Sequence, residues 1–176
     1  RITPGNSTVN FTAVDGSALT TYAIGDRVFI TVSDPNRNGN PNVSETVTVS
    51  VTSTITNDRE TVTLLETNCN TGIFRNVATL CGSSLGSTAP LTSDIAPPVL
   101  GDGRLQAADL SVIRALYTDP TDARDTQQIV ATMFVPSVPS RINFIRGPLA
   151  NGTVSRYFIG DGPGQRLFVR VTDADA

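Results

Sequence analysis

The sequence contains no histidine, no tryptophan and no lysine, so all 13 of its basic residues are Arg. It therefore offers no imidazole for acid–base catalysis or metal binding, no Schiff-base amine and no P-loop lysine. Ser and Thr hydroxyls are abundant, but no His or Lys is present to activate them as nucleophiles. These absences exclude the commonest classes of active site, and we expect that the chain is not an enzyme.

Charge is also scarce. Charged residues make up 16 % of the chain, the net charge is −3 and the pI is about 4.8. An acidic chain has no basic stripe for phosphates, which argues against a nucleic-acid partner. No apolar run approaches the ~20 residues that cross a bilayer, so we expect no membrane insertion within this segment. The 176 residues, 39 % of them hydrophobic, suffice for one domain with a core, or for one domain with an appendage.

Hydrophobic and polar residues alternate with period two in several segments, which is typical of half-buried strands. In the clearest case Val47, Val49, Val51 and Ile55 fall on one face, and Thr and Ser fall on the other. Further strands are expected at residues 27–32, 61–64, 72–75 and 127–135. About seven short strands separated by Gly- and Pro-rich turns predict an all-β fold, an immunoglobulin-like antiparallel β-sandwich.

Residues 109–117 are ambiguous between a short amphipathic helix and a strand. The preceding Gly-Asp-Gly at residues 101–103 looks like half of a dockerin calcium motif. However, Pro98 and Leu100 would occupy the first two ligand positions of that motif, where they offer no side-chain oxygen. We favour a strand over residues 109–117, because the following Thr118-Asp119-Pro120 indicates a turn after a strand.

The chain contains an internal repeat in which three segments recur in the same order. The matched pairs are residues 7–11 with 140–144, 22–26 with 157–161, and 27–34 with 166–173. Repeats of this kind indicate a tandem array. We therefore predict one full unit at residues 1–139. Residues 140–176 would be the opening strands of the next repeat, or a donor-strand segment for a neighbouring subunit.

The same residues carry a family resemblance. Its motifs lie at residues 22–26, 32–36, 45–49, 60–64, 66–74 and 117–125. They resemble the tandem immunoglobulin-like (cadherin-like) β-sandwich repeats of large bacterial and archaeal cell-surface, adhesin or extracellular filament proteins. The resemblance implies a stalk-like or adhesin-like module outside the cell. Cys69 and the long segment 82–98 depart from the usual pattern.

Up-and-down strands would bring three loops to one end of the sandwich. We call this end the acidic pole; its loops are residues 34–44, 66–71 and 119–125. Residues 34–45, the Asn-rich loop, fit the spacing Asp-x-Asn-x-Asn-Gly-x5-Glu of a calcium loop, outside an EF-hand. Asn at two ligand positions predicts weak affinity of the extracellular range. The candidate calcium ligands are Asp34, Asn36, Asn38, Asn40, Glu45, Asp119, Asp122, Asp125 and, in the next unit, Asp173.

Two other interpretations of the pole are open. Asn, Asp, Pro and Gly are what an ordinary turn contains, and such a turn needs no metal. A hydrolase using paired carboxylates from Asp119, Asp122 and Asp125 is the second alternative. We disfavour it because catalytic pairs need a raised pKa in an apolar cleft, whereas these residues belong to a solvated turn.

Cys69 and Cys81 are the only cysteines. If the intervening residues 72–80 formed one straight strand, its ends would lie about 30 Å apart at ~3.3 Å per residue, too far for a disulfide. The segment must double back, or the cysteines pair between subunits, or they stay reduced. We favour an intrachain bond, as expected of an exported module.

The sequence thus predicts a structural repeat of an extracellular cell-surface stalk or filament, stiffened by calcium at the junction between units. Its partners would be copies of itself or adjacent repeats, joined end to end. The alternative is an adhesin module that binds a ligand or carbohydrate through the loops at one pole. An exposed apolar cluster at the loop tips would favour that alternative, although the absence of Trp is unfavourable for carbohydrate.

Overall fold

The computed structural model describes residues 7–137, 141–145 and 168–172. This part of the chain contains β-strands and one short 3₁₀ turn, and no α-helix. The strands are β1 Thr8–Thr12, β2 Thr21–Ala23, β3 Arg27–Ser33, β4 Thr46–Ser53, β5 Arg59–Glu66, β6 Ile73–Arg75, β7 Thr79–Cys81, β8 Ser84–Gly86, β9 Leu91–Asp94, β10 Arg104–Gln106, β11 Val112–Thr118, β12 Thr126–Phe134, β13 Arg141–Ile145 and β14 Phe168–Thr172. The predicted all-β, sandwich-like fold is confirmed.

The alternating pattern explains the core. Val47, Val49 and Val51 of β4 are buried, and the intervening Thr and Ser residues are more exposed. The ambiguous stretch is largely a strand, because Ile113, Ala115 and Tyr117 of β11 alternate in the same way. Ile55, which the sequence assigns to the same face as Val47, lies beyond the end of β4 and is exposed.

Ten strands join one sheet. Nine of them follow the order β10-β9-β3-β6-β5-β4-β11-β12-β2, and the tenth, β1, pairs with β3, which therefore has three partners. Neighbours are antiparallel except for β9 with β10 and β2 with β12. β7 and β8 form a separate hairpin. Inward-facing residues from β1, β3, β4, β5, β11 and β12 supply most of a single hydrophobic core.

Contacts divide the chain into two compact units, Arg1–Val135 and Pro136–Ala176. The sequence placed the boundary four residues later, at 139/140. In the second unit the described strands are β13 and β14. The predicted repeat at residues 157–161, its match at 166–167 and the candidate ligand Asp173 lie outside the described residues.

β13 and β14 pair with the same register as β1 and β3. Val9 lies opposite Val32 in the first hairpin, and Ile142 lies opposite Val171 in the second. All five pairs correspond at the offsets of the sequence repeat, 133 (142 − 9) and 139 (171 − 32). Val9 and Val32 are 6 % and 0 % exposed, whereas Ile142 and Val171 are 70 % and 62 % exposed. The second hairpin thus has the register of a core hairpin without a core around its described side chains.

Candidate functional site

The three loops of the acidic pole meet, as the strand order predicts. Two hydrogen bonds link them directly: Asn38 Nδ2 to Asn70 Oδ1 at 2.7 Å, and Asn36 Nδ2 to Asp119 Oδ2 at 2.9 Å. A third bond, from Asp34 N to Gly72 O at 2.8 Å, joins the start of the first loop to the residue directly after the second. Together with the bond from Asp119 N to Asp125 O at 2.9 Å, they bring five of the predicted ligands, Asp34, Asn36, Asn38, Asp119 and Asp125, into one hydrogen-bonded region.

The Asn-rich loop closes on itself. Asp34 has extended backbone geometry, and the 3₁₀ turn Pro35–Arg37 begins with the proline directly after it. At the other end Glu45 Oε1 accepts hydrogen bonds from the backbone N–H groups of Gly39 and Asn40, at 3.1 and 2.6 Å. Glu45, the last predicted ligand of the calcium-loop motif, therefore folds back over the middle of the Asn-rich loop.

Asp34 is a fully buried carboxyl group. Its Oδ2 accepts a hydrogen bond from the Tyr117 hydroxyl at 2.6 Å, while Oδ1 has no partner. Burial raises the pKa of Asp34, and the negative charges of Asp119 and Asp125 raise it further, against the opposite effect of the Tyr117 bond. Burial, and then the contact with Asp34, raises the pKa of the Tyr117 hydroxyl.

Asp119 and Asp125 use their oxygens within the fold. Asp119 Oδ1 accepts from the N–H and hydroxyl of Thr121, both at 2.8 Å, and its Oδ2 accepts the inter-loop bond given above. Burial acts to raise the pKa of Asp119, but these hydrogen bonds outweigh it and lower the pKa. Asp125 accepts from Gln127 Nε2 at 3.0 Å and Ser7 N at 2.8 Å, which lowers its pKa.

Glu66 is a central acceptor of the pole that the sequence did not single out. It is fully buried, and its Oε1 accepts from the N–H groups of Thr71 and Gly72, both at 2.7 Å. Burial acts to raise the pKa of Glu66, but these donors outweigh it and lower the pKa. Gly72 has φ +62°, and a Cβ there would lie 3.0 Å from Pro35 Cα, so the turn requires glycine.

The predicted ligands also differ in whether their side-chain oxygens have a hydrogen-bond donor. Asp122 lies in a turn and accepts from Arg124 N at 3.1 Å, and Asn40 Oδ1 accepts from Asn42 N at 3.0 Å. Four other side-chain oxygens of the Asn-rich loop are buried and have no hydrogen-bond partner: Asp34 Oδ1, Asn36 Oδ1, Asn38 Oδ1 and Glu45 Oε2. They occupy positions 1, 3, 5 and 12 of the calcium-loop spacing.

Carboxylates alone do not make a metal centre here. Across residues 7–137, 141–145 and 168–172, no three Cys, Asp or Glu side chains are grouped so as to hold a metal ion. The Asn-rich loop contributes only two carboxylates, and its other candidate ligands are amide oxygens. Asp119, Asp122 and Asp125 likewise form no such group, and Asp119 and Asp125 have lowered pKa values.

A disulfide adds a second feature to the pole. Cys69 and Cys81 are bonded, with their Cα atoms 4.8 Å apart, because the chain turns between β6 and β7 and is not one straight strand. The bond holds the β7–β8 hairpin beside the Asn-rich loop, where Leu80, Leu85 and Val43 are exposed. A cavity of about 350 Å³ lies there, lined by Asn42, Val43, Ser44, Leu65, Cys81, Ser84, Leu85 and Gly86.

Comparison with known proteins gives no family assignment: no protein-family model and no characterised protein matches the chain. Among the residues whose structure is described, no helix has the length and apolar character needed to cross a membrane.

Proposed function

We propose that the chain is a structural repeat of an extracellular stalk or filament, in which units are joined end to end. The observation that carries this proposal is the shared register of the β1–β3 and β13–β14 hairpins. A sequence match could arise from similar composition, but five residue pairs that correspond at the two offsets of the repeat support a repeated unit.

The exposed face of the second hairpin indicates which neighbour a unit would have in such an array. A two-stranded hairpin is marginal alone in water, and Ile142, Val169 and Val171 are exposed on β13 and β14. The corresponding side chains of the first hairpin, Val9 and Val32 among them, are covered by the core. A sheet like that of the first unit would cover the second hairpin, supplied by an adjacent repeat or by a neighbouring copy through donor-strand exchange.

The disulfide supports an extracellular location, because such bonds persist in oxidising compartments. Immunogold labelling of intact source cells with antibodies against the purified chain tests the proposal. We expect label along surface fibres, and no label after the antibody is absorbed with the chain. Label confined to the cell interior would contradict the proposal.

A binding module at the acidic pole is the second candidate function. It is favoured by the exposed Val43 and Leu85, which line the cavity, and by the exposed Leu80 of the same β7–β8 hairpin. Exposed apolar clusters of this kind mark binding surfaces. An array of peptides and glycans, probed with the labelled chain, tests it. A Leu85→Ser variant should lose the bound spots, while Leu116→Ser, at an exposed leucine of β11, should keep them. Spots that both variants keep, or no spots at all, would exclude this candidate.

A further inference from the structure

The geometry points to a self-contained, low-affinity Ca²⁺ site within the Asn-rich loop, formed by Asp34, Asn36, Asn38 and Glu45. The site would exist whether or not the chain belongs to a tandem array, so it goes beyond the proposed function. It is also smaller than the pole-wide ligand set that the sequence suggests, because it lies within one loop.

The unpartnered oxygens carry this inference. Buried polar atoms nearly always have a hydrogen-bond partner, and those that do not need an explanation. Four such oxygens lie in the 12 residues of one loop, and one of them belongs to Asp34, a carboxyl group with no solvent exposure. All four are acceptors. The loop also holds one buried donor without a partner, Arg37 Nε, but a single N–H group cannot satisfy four acceptors, whereas a metal cation can.

The donor set identifies the class of cation. Carboxylate and amide oxygens are hard ligands, and no Cys or His takes part, which favours Ca²⁺ over zinc or copper. The four oxygens also have the spacing of a calcium loop, with Gly39 at the position of its sharp turn. Two negative charges, from Asp34 and Glu45, place the affinity in the weak range of extracellular sites, a Kd of about 10⁻⁴–10⁻³ M.

Hydrogen bonding separates these residues from Asp119, Asp122 and Asp125. Glu66, in contrast, is in contact with the side chain and the backbone N–H of Glu45. Asp119 and Asp125 have both carboxylate oxygens engaged by donors of the fold. Asp122 is bonded only to its own turn. These three residues are therefore structural acceptors, and Asp122→Asn provides a control that removes one negative charge from the pole without changing a proposed ligand.

Tyr117 allows ion binding at this site to be measured by luminescence. A Tb³⁺ ion bound at Asp34 would lie close to the phenol that donates to the same carboxyl group, and tyrosine sensitises Tb³⁺ luminescence at short range. The Tyr22 hydroxyl is instead bonded to the carbonyls of Thr12 and Phe29. We expect saturable Tb³⁺ luminescence on excitation of tyrosine, displaced by millimolar CaCl₂.

Calcium binding by variants of the whole chain tests which residues form the site. Glu45→Gln keeps an oxygen to accept the loop N–H groups and removes the charge, so it should weaken CaCl₂ binding at least tenfold by calorimetry, while Asp122→Asn stays within about twofold. Asn38→Asp should strengthen binding, because it adds a charged ligand. Tyr117→Phe should lose the luminescence, because it removes the phenol that sensitises the bound Tb³⁺ ion.

Three results would overturn the inference. The first is the absence of CaCl₂ binding at concentrations up to about ten times 10⁻³ M, the weakest Kd expected of this class of site. The second is equal weakening in the Glu45→Gln and Asp122→Asn variants, which would indicate diffuse attraction to the acidic pole. The third is binding that Asn38→Asp leaves unchanged. Circular dichroism of each variant, compared with the parent chain, separates loss of the site from loss of the fold.

Discussion

The hydroxyl of Tyr117 donates a 2.6 Å hydrogen bond to the buried carboxyl group of Asp34, 83 residues earlier in the chain. This bond joins the C-terminal half of β11 to the start of the Asn-rich loop. It fixes one oxygen of Asp34 and leaves the other without a partner. The same contact therefore stabilises the acidic pole and positions its candidate ligand.

Removing the Tyr117 hydroxyl should lower the free energy of unfolding. Tyr117→Phe leaves Asp34 Oδ2 buried without its donor, and we expect a loss of about 1–3 kcal/mol in the free energy of unfolding. Urea unfolding of the two proteins in the presence of a chelator measures this. Thr118→Val, at the adjacent exposed residue of β11, is the control and should change stability by less than about 0.5 kcal/mol. A Tyr117→Phe variant as stable as the parent would mean that the bond contributes nothing.

The acids of the pole should give stability two opposite dependences on pH. The lowered pKa values of Asp119, Asp125 and Glu66 mean that their contribution is present above the unfolded values, near 4, and is lost as pH falls through the folded values. Asp34 has a raised pKa, so its contribution is present below the unfolded value of 3.8 and is lost as pH rises through the folded value.

Asp34→Asn separates the two effects, because it removes the ionisation of Asp34 and leaves Asp119, Asp125 and Glu66 in place. We expect the stability of this variant, relative to the parent, to improve as pH rises from about 3 to 7. Urea unfolding at several pH values, with chelator present, measures the difference. A difference that is flat with pH would show that Asp34 titrates alike in the folded and unfolded chain.

The disulfide should stabilise the pole through its hairpin. Cys69→Ser with Cys81→Ser opens a loop with a sequence separation of 12 residues, and loops of this size are worth about 3 kcal/mol in the chain-entropy model. Hydrogen exchange should become faster throughout the chain, because the unfolded state gains entropy, and the increase should be larger in β7, β8 and the loop at residues 66–71 than in β4 and β11. An increase of the same size in all of these segments would contradict a local role for the bond.

Much of the fold could be predicted from the sequence because its signals are local. The alternation in β4 and in β11 depends only on which face each residue occupies. The meeting of the three loops could be predicted from strand direction alone. The register of β1 with β3 and of β13 with β14 was not predicted, although the repeat offsets place both hairpins in the same alignment.

The parts that sequence did not reveal depend on distant hydrogen bonds. Glu60 is buried, and its carboxylate accepts from the N–H groups of Gly101 and Gly103, both at 2.8 Å. The segment that looks like half of a dockerin motif is thus held by a carboxylate of the chain itself. In the same way, spacing could not show that Asp119 and Asp125 have their oxygens occupied while Asp34 keeps one free.

The most direct test of the tandem-repeat account is to transplant the second hairpin into the first. In this variant, residues 8–11 take the sequence of residues 141–144, residue 30 takes that of residue 169, and residue 33 takes that of residue 172. Thr12 and Thr31 are kept, because the hydroxyls of both accept hydrogen bonds from Arg75. We predict a cooperatively folded chain whose free energy of unfolding lies within about 1.5 kcal/mol of the parent, as for volume-conserving exchanges. The same residues inserted one position out of register would turn the core face to solvent and should unfold the chain. An in-register transplant that unfolds like its shifted control would contradict the equivalence of the two hairpins.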